Sequence, residues 1–555
     1  GLQALRLIFM LKIILVSLFI FSAGCGTEKE PKEDRALTIY CENAASWVRN
    51  FNPLSTSGAA RWPTSSGIYE PLFIYNSMQG EYIPWLCTDY KWEDNNKTLI
   101  MYVRENVLWS DKTPFSSEDI AFTFNLKKIH KGLDTRDSWS YLKSVKALNK
   151  TTVEFKFSRI YVPGFDAIAG QPIVAKHIWE KIKDPLRFSN SNPVGTGPFT
   201  EILRFDNQVW ELGKNPNYWQ PNKPEVKKLK FPAFPSNEQV TLSLISGDLD
   251  WAGAFIPAID RVYTKKNPEH HKYWFSETGH TTFFYTNTMN KVLKDSKIRK
   301  AISYAIDRSL VVKVGMYNYT EPAHVTGISG KMAKWHSKDI ETKENWVKYN
   351  PKLSNQIFDD AGYHKNKNGF REDEKGDPLS FDIIVVSGWS DWIRSAQVIS
   401  QNLKKVGIKA KVKTYDFGAW MSRMQKGEFD MAIGWAEKGT TPFPLYRGMM
   451  SSKYIKPIGI DADANWHRFS TDEVDSLIFE FEKTSDEYVI KDILHKLQNI
   501  FIDYAPAIPL FAEVSWAECN STYFTNFPSK NNPYAPLSPN SAPENLMVLV
   551  NLEVR

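Results

Sequence analysis

Tryptophans and charged side chains are concentrated in two short segments in the C-terminal half of the chain. The first segment contains Trp389, Asp391 and Trp392, and the second contains Trp435 and Lys438. Indole rings can stack on the apolar faces of a ligand, and charged groups beside them can form hydrogen bonds that fix its orientation. The combination predicts a binding surface. The alternative is that the tryptophans pack the core between two domains.

Three stretches with a strand pattern surround these segments. Residues 381–387 and 429–435 are short apolar runs, and residues 408–415 alternate apolar and lysine side chains. Apolar residues recur at helical spacing between 396 and 406, and Gly407 stands where a left-handed helix cap belongs. We therefore predict strands that run parallel and are joined by a helix. Both tryptophan segments then follow the carboxyl ends of strands, where open α/β sheets bind ligands.

The overall composition is that of a large globular protein. The chain has 555 residues, of which 42% are hydrophobic and 24% are charged, and it contains 19 tryptophans. This length predicts several domains. The formal net charge of +6 is small for such a surface. Since no block of five or more Lys or Arg residues occurs, we expect no nucleic-acid partner.

The N-terminal segment has the pattern of a secretion signal. Lys12 is followed by an apolar run at 13–23, which is too short to span a bilayer but suits a signal-peptide core. The string SAGC that ends at Cys25 resembles a bacterial lipobox. This resemblance implies that residues 1–24 are a signal peptide, and that residues 25–35 are a lipidated cysteine and its tether. An ordinary signal peptide or a short anchor is the alternative.

The sequence predicts no reactive centre. Besides Cys25, it contains Cys41, Cys87 and Cys519, whose spacing matches no metal-binding motif. We expect buried free thiols with at most one disulfide bond, no metal and no cofactor. The chain contains none of the motifs GxSxG, HExxH, P-loop or GxGxxG. A pair of catalytic carboxylates is not excluded at this point.

Further candidate residues occur in the N-terminal half. Residues 37–41 have the pattern of a first strand, and the loop behind it contains Trp47 and Asn50. A loop that leaves the first strand of a binding domain is well placed to contact a ligand. Both residues are therefore candidates, with plain packing as the alternative. Asn287 is an additional candidate for hydrogen bonding.

A series of short motifs in the chain resembles one bacterial family. In chain order, the motifs are YEPL at 69–72, WSDKTPFSSEDIAFTF at 109–124, PVGTGPF at 193–199, NPNYW at 215–219 and DSKIRKAISYAIDR at 295–308. The series is similar to that of bacterial extracellular solute-binding proteins of family 5, the substrate receptors of peptide-type and oligosaccharide-type ABC importers. The similarity extends over residues 37–555.

The resemblance implies an α/β fold of the type II periplasmic-binding-protein kind, in which two lobes close about a hinge. It implies a monomer that binds without turnover, with ABC permease subunits as partners, held outside the cytoplasm on a membrane. Lobe I is expected to contain residues 36–69, 191–285 and 518–555, with residues 70–190 as an extra subdomain. Lobe II is expected at 286–517. An adhesion or scaffold lipoprotein is a more distant alternative.

The ligand of such a receptor is an oligosaccharide or a peptide. Peptide-binding members present an aspartate in the pattern Trp-x-x-Asp-x-x-x-Pro, and Lys438 occupies that position here. Its ammonium group would repel the amino terminus of a peptide. Residues 388–403 and 440–452 are similar to members that bind cello-oligosaccharides and β-glucosides. We therefore expect an oligosaccharide, with an oligopeptide or dipeptide as the alternative. The expected contacts are stacking on Trp389, Trp392, Trp435 and Trp47 and hydrogen bonds from Asp391, Lys438, Asn50 and Asn287.

Overall fold

The computed structural model describes residues 34–55 and 67–555 of the chain. Most strands belong to three sheets of seven, five and four strands. The expected signal peptide and Cys25 lie outside the described residues. In the described ranges, no helix has both the length and the apolar character needed to cross a bilayer.

Lobe I is built on the seven-stranded sheet. Its strands, in spatial order, are His271–Tyr273, Glu518–Asn520, Trp251–Ala252, Leu37–Tyr40, Lys228–Pro232, Val209–Lys214 and Phe199–Phe205. The predicted first strand is confirmed at Leu37–Tyr40, which pairs in parallel with both neighbours. The remaining elements of lobe I are helices Asn237–Ser246, Ile259–Val262 and Asn545–Asn551 and the strand pair Phe524–Thr525 and Glu553–Val554.

Lobe II is built on the five-stranded sheet. Its strands, in spatial order, are Lys409–Tyr415, Ser380–Val386, Met431–Gly434, Glu277–Thr286 and Ile508–Val514. The predicted parallel unit is confirmed, because Ser380–Val386 pairs in parallel with Lys409–Tyr415 and with Met431–Gly434. The connecting helix is Ser390–Lys405. Gly407 has the predicted left-handed backbone, with a φ of 88°.

The other helices of lobe II surround this sheet. Their apolar faces share one buried core with the strands, as expected for a layered α/β fold. They are Ser296–Ala305, Arg308–Val314, Pro351–Asp360, Phe417–Lys426, Phe443–Met450, Asp472–Glu482 and Glu487–Tyr504.

The extra subdomain is built on the four-stranded antiparallel sheet. Its strands, in spatial order, are Cys87–Glu93, Thr98–Val103, Thr152–Phe157 and Leu142–Asn149. Ser116 and Ser117 ahead of Glu118 and Asp119 are a sequence signature that predicts a helix start, and helix Ser117–Ile129 begins there with a capping box between Ser116 and Asp119. The subdomain also contains the hairpin Phe73–Asn76 and Glu81–Pro84 and the short helices Gly164–Ala169 and Lys176–Trp179.

Cys41, Cys87 and Cys519 are free and buried, as the sequence predicts. Burial in apolar surroundings raises the pKa of all three thiols, because the thiolate loses its hydration. Since the thiolate is the reactive form, these cysteines are chemically inert in the folded protein.

Three of the sequence motifs meet at a buried carboxylate where lobe I joins the extra subdomain. Glu70 of YEPL accepts a hydrogen bond from Trp85 Nε1 at 2.5 Å. It also accepts one from Tyr218 Oη at 2.9 Å and one from Trp219 Nε1 at 3.1 Å, both in NPNYW. Burial raises the pKa of Glu70 to about 7, and its hydrogen bonds, including one with Thr196 of PVGTGPF, oppose this rise.

The two glycines of PVGTGPF allow the backbone of this motif to lie against residues 67–68, beside Glu70. A Cβ atom on Gly195 would lie 2.1 Å from the carbonyl oxygen of Ile68, and one on Gly197 would lie 2.0 Å from that of Gly67. The backbones are held at this distance by a hydrogen bond from Gly197 N to Ile68 O of 2.9 Å. Only glycine permits such an approach. The family motifs therefore have a structural role in this protein.

Aromatic rings surround the two connections between the lobes, near residues 274–277 and 514–518. The ring of Trp516 packs edge-on against Phe275 and Phe255, with centroids 5.0 and 5.5 Å apart. Trp274 N donates to Ala517 O at 3.1 Å, which ties the two connections to each other. This arrangement is suited to a hinge.

We expect Glu70→Ala to destabilise the protein strongly. The change leaves the indole and phenol donors around Glu70 buried without their acceptor, which costs on the order of 3–5 kcal/mol. Thermal or urea unfolding followed by circular dichroism measures the effect. Glu81→Ala, which removes an exposed carboxylate of the same region, is the control. Equal stability of the two variants would show that the Glu70 network contributes nothing.

Candidate functional site

The loop after strand Ser380–Val386 lies against lobe I. Gly388 has a φ of 84°, and a Cβ atom there would lie 2.3 Å from Pro235 O of lobe I. Its carbonyl oxygen accepts a hydrogen bond of 3.1 Å from Asn237 N, at the first turn of helix Asn237–Ser246. The predicted binding segment is therefore at a place where the two lobes touch.

The predicted tryptophans of lobe II form one aromatic cluster. Trp389 packs edge-on against Trp392 with centroids 4.9 Å apart, and Trp392 lies 6.3 Å from Trp435. Trp420 and Trp466 pack behind Trp435 and are almost completely buried. Trp392 is 8% exposed, whereas Trp389 and Trp435 are half-buried. The accessible indole surface is therefore that of Trp389 and Trp435, and Trp392 mainly supports them.

Asp391 is buried and bonds across the junction between the lobes. Its carboxylate accepts a hydrogen bond of 3.3 Å from Asn237 Nδ2 of lobe I. Burial raises its pKa to about 6, and hydrogen bonds from the first turn of its helix and the charge of Arg394 oppose the rise. The side chain was predicted to bind ligand. Its contacts in the structure are those of a group that joins the lobes.

Lys438 and Glu437, on the loop after strand Met431–Gly434, each face an opposite charge. Lys438 Nζ lies 2.5 Å from Glu513 of the strand that leads to the hinge. Glu437 points the other way, and its carboxylate lies 3.8 Å from the guanidinium of Arg447. Lys438 is about half exposed while remaining paired.

The other three predicted residues lie away from this cluster. Trp47 is 8% exposed and packs edge-on against Trp210 in the core of lobe I, which favours the packing alternative. Asn287 donates from Nδ2 to the carbonyl oxygens of Gly427 and Phe429, at 2.8 and 2.9 Å. These contacts stabilise lobe II itself and leave the amide group of Asn287 no donor for a ligand.

Asn50 has a local structural contact. Its side-chain oxygen accepts a hydrogen bond of 3.0 Å from Asn52 N, a turn geometry that asparagine favours. The residue is half-buried on lobe I. Its role in binding stays a prediction.

The sequence analysis missed several residues, on other elements of the fold, that contact the tryptophan loops or their charged side chains. They are Asn237 of lobe I, Tyr161 of the extra subdomain, and Arg447 and Glu513 of lobe II. Tyr161 accepts a hydrogen bond of 3.2 Å from Arg447 Nη1, a further contact across the space between the lobes, which we call the cleft. No local pattern marks these positions, because each acquires its role only through a partner far away in the chain.

The chain thus has two lobes joined by two connections, with an aromatic surface and paired charges where the lobes meet. The model of the family "Bacterial extracellular solute-binding proteins, family 5 Middle" matches residues 81–456, more than half of the chain. The chain is a family 5 solute-binding protein. The resemblance deduced from its motifs is confirmed, and so is the two-lobe α/β fold. Proteins of this family bind solutes for ABC importers outside the cytoplasm.

The relatives of this family 5 protein are named for different solutes. The dipeptide-binding protein of Escherichia coli is 23% identical over 504 residues, which cover 85% of this chain and 88% of the relative. The oligopeptide-binding protein AppA of Bacillus subtilis is 24% identical over 72% of this chain and 73% of its own length. The nickel-binding periplasmic protein of E. coli is 22% identical over 70% of this chain and 74% of its own length.

Solved structures give the same fold. The mannohexaose-bound periplasmic oligopeptide-binding protein of Thermotoga maritima superimposes with a TM-score of 0.87 at 27% identity, covering 94% of this chain and 99% of that one. NikZ of Campylobacter jejuni, in complex with Ni(L-His), has a TM-score of 0.76 at 21% identity, covering 90% and 96%. Among the residues described here, no three His, Cys, Asp or Glu side chains are grouped as metal ligands.

We predict that Asp391 makes stability depend on pH. Its pKa is raised from 3.8 to about 6 in the folded protein, so its stabilising contribution is complete below pH 4 and is lost as the pH rises through about 6. This shift corresponds to about 3 kcal/mol. In urea titrations, wild type should lose that much stability relative to Asp391→Asn between pH 4 and pH 7. Parallel pH profiles for the two proteins would contradict the prediction.

Proposed function

We propose that this protein captures a neutral oligosaccharide of the cello-oligosaccharide or β-glucoside type and delivers it to an ABC permease. We propose further that it acts as a monomer held to the membrane by lipid on Cys25. The membership of family 5 gives the receptor class. We favour a sugar over a peptide as the ligand because of the charged side chains and the indole rings at the cleft.

The main support is the ion pair between Lys438 and Glu513, 2.5 Å apart. Lys438 stands where peptide-binding members present an aspartate to the ligand's amino terminus. Glu437, the other charged side chain of loop 435–442, has Arg447 beside it. A charged peptide terminus would have to break one of these pairs and leave a desolvated charge behind, which is costly. A neutral ligand pays no such cost.

Trp389 and Trp435 provide the second support. Both rings are half-buried at the cleft and are held by packing against Trp392, so little side-chain entropy is lost when a ligand covers them. Rigid, flat apolar surfaces suit the CH faces of sugar rings. The neighbouring structure from T. maritima contains a hexasaccharide, which favours a sugar in a cleft of this shape.

We expect Trp389→Ala and Trp435→Ala each to weaken oligosaccharide binding at least tenfold, about 1.4 kcal/mol or more, through loss of stacking area. Titration calorimetry with cellohexaose and mannohexaose measures this. Trp92→Ala, which removes a half-buried indole from the extra subdomain's sheet, is the control and should bind as wild type.

Binding of peptides with free termini tests the peptide alternative. If wild type binds them at micromolar affinity or better and binds none of the sugars, the peptide alternative is correct. If sugars bind and both tryptophan variants retain full affinity, the stacking surface lies elsewhere.

We expect Cys25→Ser to release the protein from membranes, because the thiol that accepts lipid is gone. Fractionation of cells into membrane and soluble parts, with immunodetection of the chain, measures the change. Complete retention of the variant in the membrane fraction would contradict lipid anchoring at Cys25 and favour a proteinaceous anchor.

A further inference from the structure

The extra subdomain closes one flank of the cleft by direct contacts with lobe II. Arg447 Nη1 donates to Tyr161 Oη at 3.2 Å, and Val162 N donates to Glu482 O at 3.0 Å. Arg159 lies 3.2 Å from the carboxylate of Glu482. These contacts hold the subdomain against lobe II beside helix Phe443–Met450. Glu437, on the loop that follows Trp435, lies next to Arg447 of this helix.

Glu437 and Arg447 are close but incompletely satisfied. Arg447 Nη2 lies 3.8 Å from Glu437 Oε2, which is near enough for charge attraction and too far for a hydrogen bond. Glu437 Oε2 and Arg447 Nε are both buried, and neither has a hydrogen-bond partner in the described part of the chain. Burial raises the pKa of Glu437, as expected for a carboxylate that has lost water without full compensation. Buried polar atoms without partners are rare in folded proteins.

The chain leaves room for this arrangement. A Cβ atom on Gly448 would lie 2.6 Å from Glu437 Oε2, so a glycine at 448 lets the carboxylate lie against the helix. Arg447 is 19% exposed and Glu437 is 34% exposed, so part of each side chain faces solvent. The unpartnered atoms Glu437 Oε2 and Arg447 Nε are covered, and a ligand reaches them only when the side chains turn. A structural ion pair would be expected to make its hydrogen bonds internally, whereas this pair leaves an acceptor and a donor unused.

We propose that Glu437 and Arg447, with the hydroxyl of Tyr161, form a subsite for two adjacent hydroxyl groups of a sugar ring. A sugar hydroxyl both donates and accepts, so neighbouring hydroxyls can donate to Glu437 and accept from Arg447 at the same time. Such hydrogen bonds to charged groups are stronger than those between neutral groups. This subsite rests on the proposed oligosaccharide function, and it assigns a direct binding role to the extra subdomain.

The Glu437–Arg447 pair disfavours ligands that have charged termini. An ammonium group that approached Glu437 would meet Arg447 at the same time, and a carboxylate that approached Arg447 would meet Glu437. A neutral diol satisfies both groups without removing either charge from its partner. The subsite therefore adds a discrimination that stacking on tryptophan lacks, since stacking alone requires only a flat apolar face.

The test compares Glu437→Gln and Arg447→Met with Lys453→Met. Lys453 forms an ion pair with Asp137 between the same two parts of the protein, but both of those side chains are about half exposed. Affinity for cellohexaose and mannohexaose is measured by calorimetry, and the melting temperature of each ligand-free protein is measured separately. Gly448→Ala, which displaces the carboxylate without removing a charged group, is a further variant.

A ligand-binding role predicts that Glu437→Gln, Arg447→Met and Gly448→Ala each lose at least tenfold in affinity for the sugar that wild type binds. Lys453→Met should stay within twofold of wild type. The ligand-free melting temperature of Glu437→Gln should not fall, because the buried Oε2 of Glu437 accepts no hydrogen bond within the described residues. That of Arg447→Met should fall, because this variant loses the hydrogen bond to Tyr161. Arg447→Lys, which keeps the charge but not the planar donor group, should recover only part of the affinity.

Three results would overturn the subsite. Unchanged affinity of the Glu437 and Arg447 variants would show that the ligand does not touch them. An equal loss in Lys453→Met would show that these groups only hold the lobes together. A lower melting temperature of ligand-free Glu437→Gln with a proportional loss of binding would show a structural role. If wild type itself binds no oligosaccharide, the proposed function fails first, and the subsite fails with it.

Discussion

The buried carboxylate of Glu70 is the interaction on which the rest of this structure depends. It joins segments that are far apart in the chain, because Trp85, Tyr218 and Trp219 all donate to it from different places. The close backbone contact between Gly197 and Ile68 fixes the same joint. As a result the extra subdomain is tied to lobe I. This attachment lets Tyr161 contact Arg447 on the other lobe.

Two of the charged side chains at the cleft are neutralised locally, because Lys438 is paired with Glu513 and Glu437 is attracted to Arg447. Asp391 differs, since it accepts a hydrogen bond from a neutral amide of lobe I. In a space that excludes water, an unpaired charge is far more costly than a paired one. A cleft built in this way favours ligands that bring many hydrogen-bonding groups and no net charge. The shared fold of the relatives is compatible with several solutes, so the distinction between one solute and another depends on the local chemistry of the cleft.

Much of the fold could be predicted because its signals are local. The alternation in 408–415, the cap at Gly407 and the capping box at Ser116 each depend on a few neighbouring residues, and each is found as predicted. Strand ends were less accurate, since the last strand of the unit is Met431–Gly434 rather than 429–435. The ends of strands depend on tertiary pairing, which a sequence pattern does not contain.

The site could be predicted only in part. The proximity of the two tryptophan segments follows from parallel strands, and their rings do pack together. Sequence could not distinguish the accessible rings of Trp389 and Trp435 from the supporting ring of Trp392, because the difference is one of depth in the fold. Glu513 and Tyr161 had no signal of their own, since long-range contacts alone give them a role.

The three buried thiols described above provide a chemical probe of one lobe. Cys41 and Cys519 belong to lobe I and Cys87 to the extra subdomain, so lobe II contributes no thiol within the described residues. A thiol reagent added to the mature protein therefore labels these sites only when lobe I or the subdomain opens. Tryptophans occur in both lobes, for example Trp210 in lobe I and Trp420 in lobe II, so the total fluorescence reports on the whole chain. Comparing the rate of thiol labelling with the rate of fluorescence change would reveal whether the lobes unfold together or in sequence.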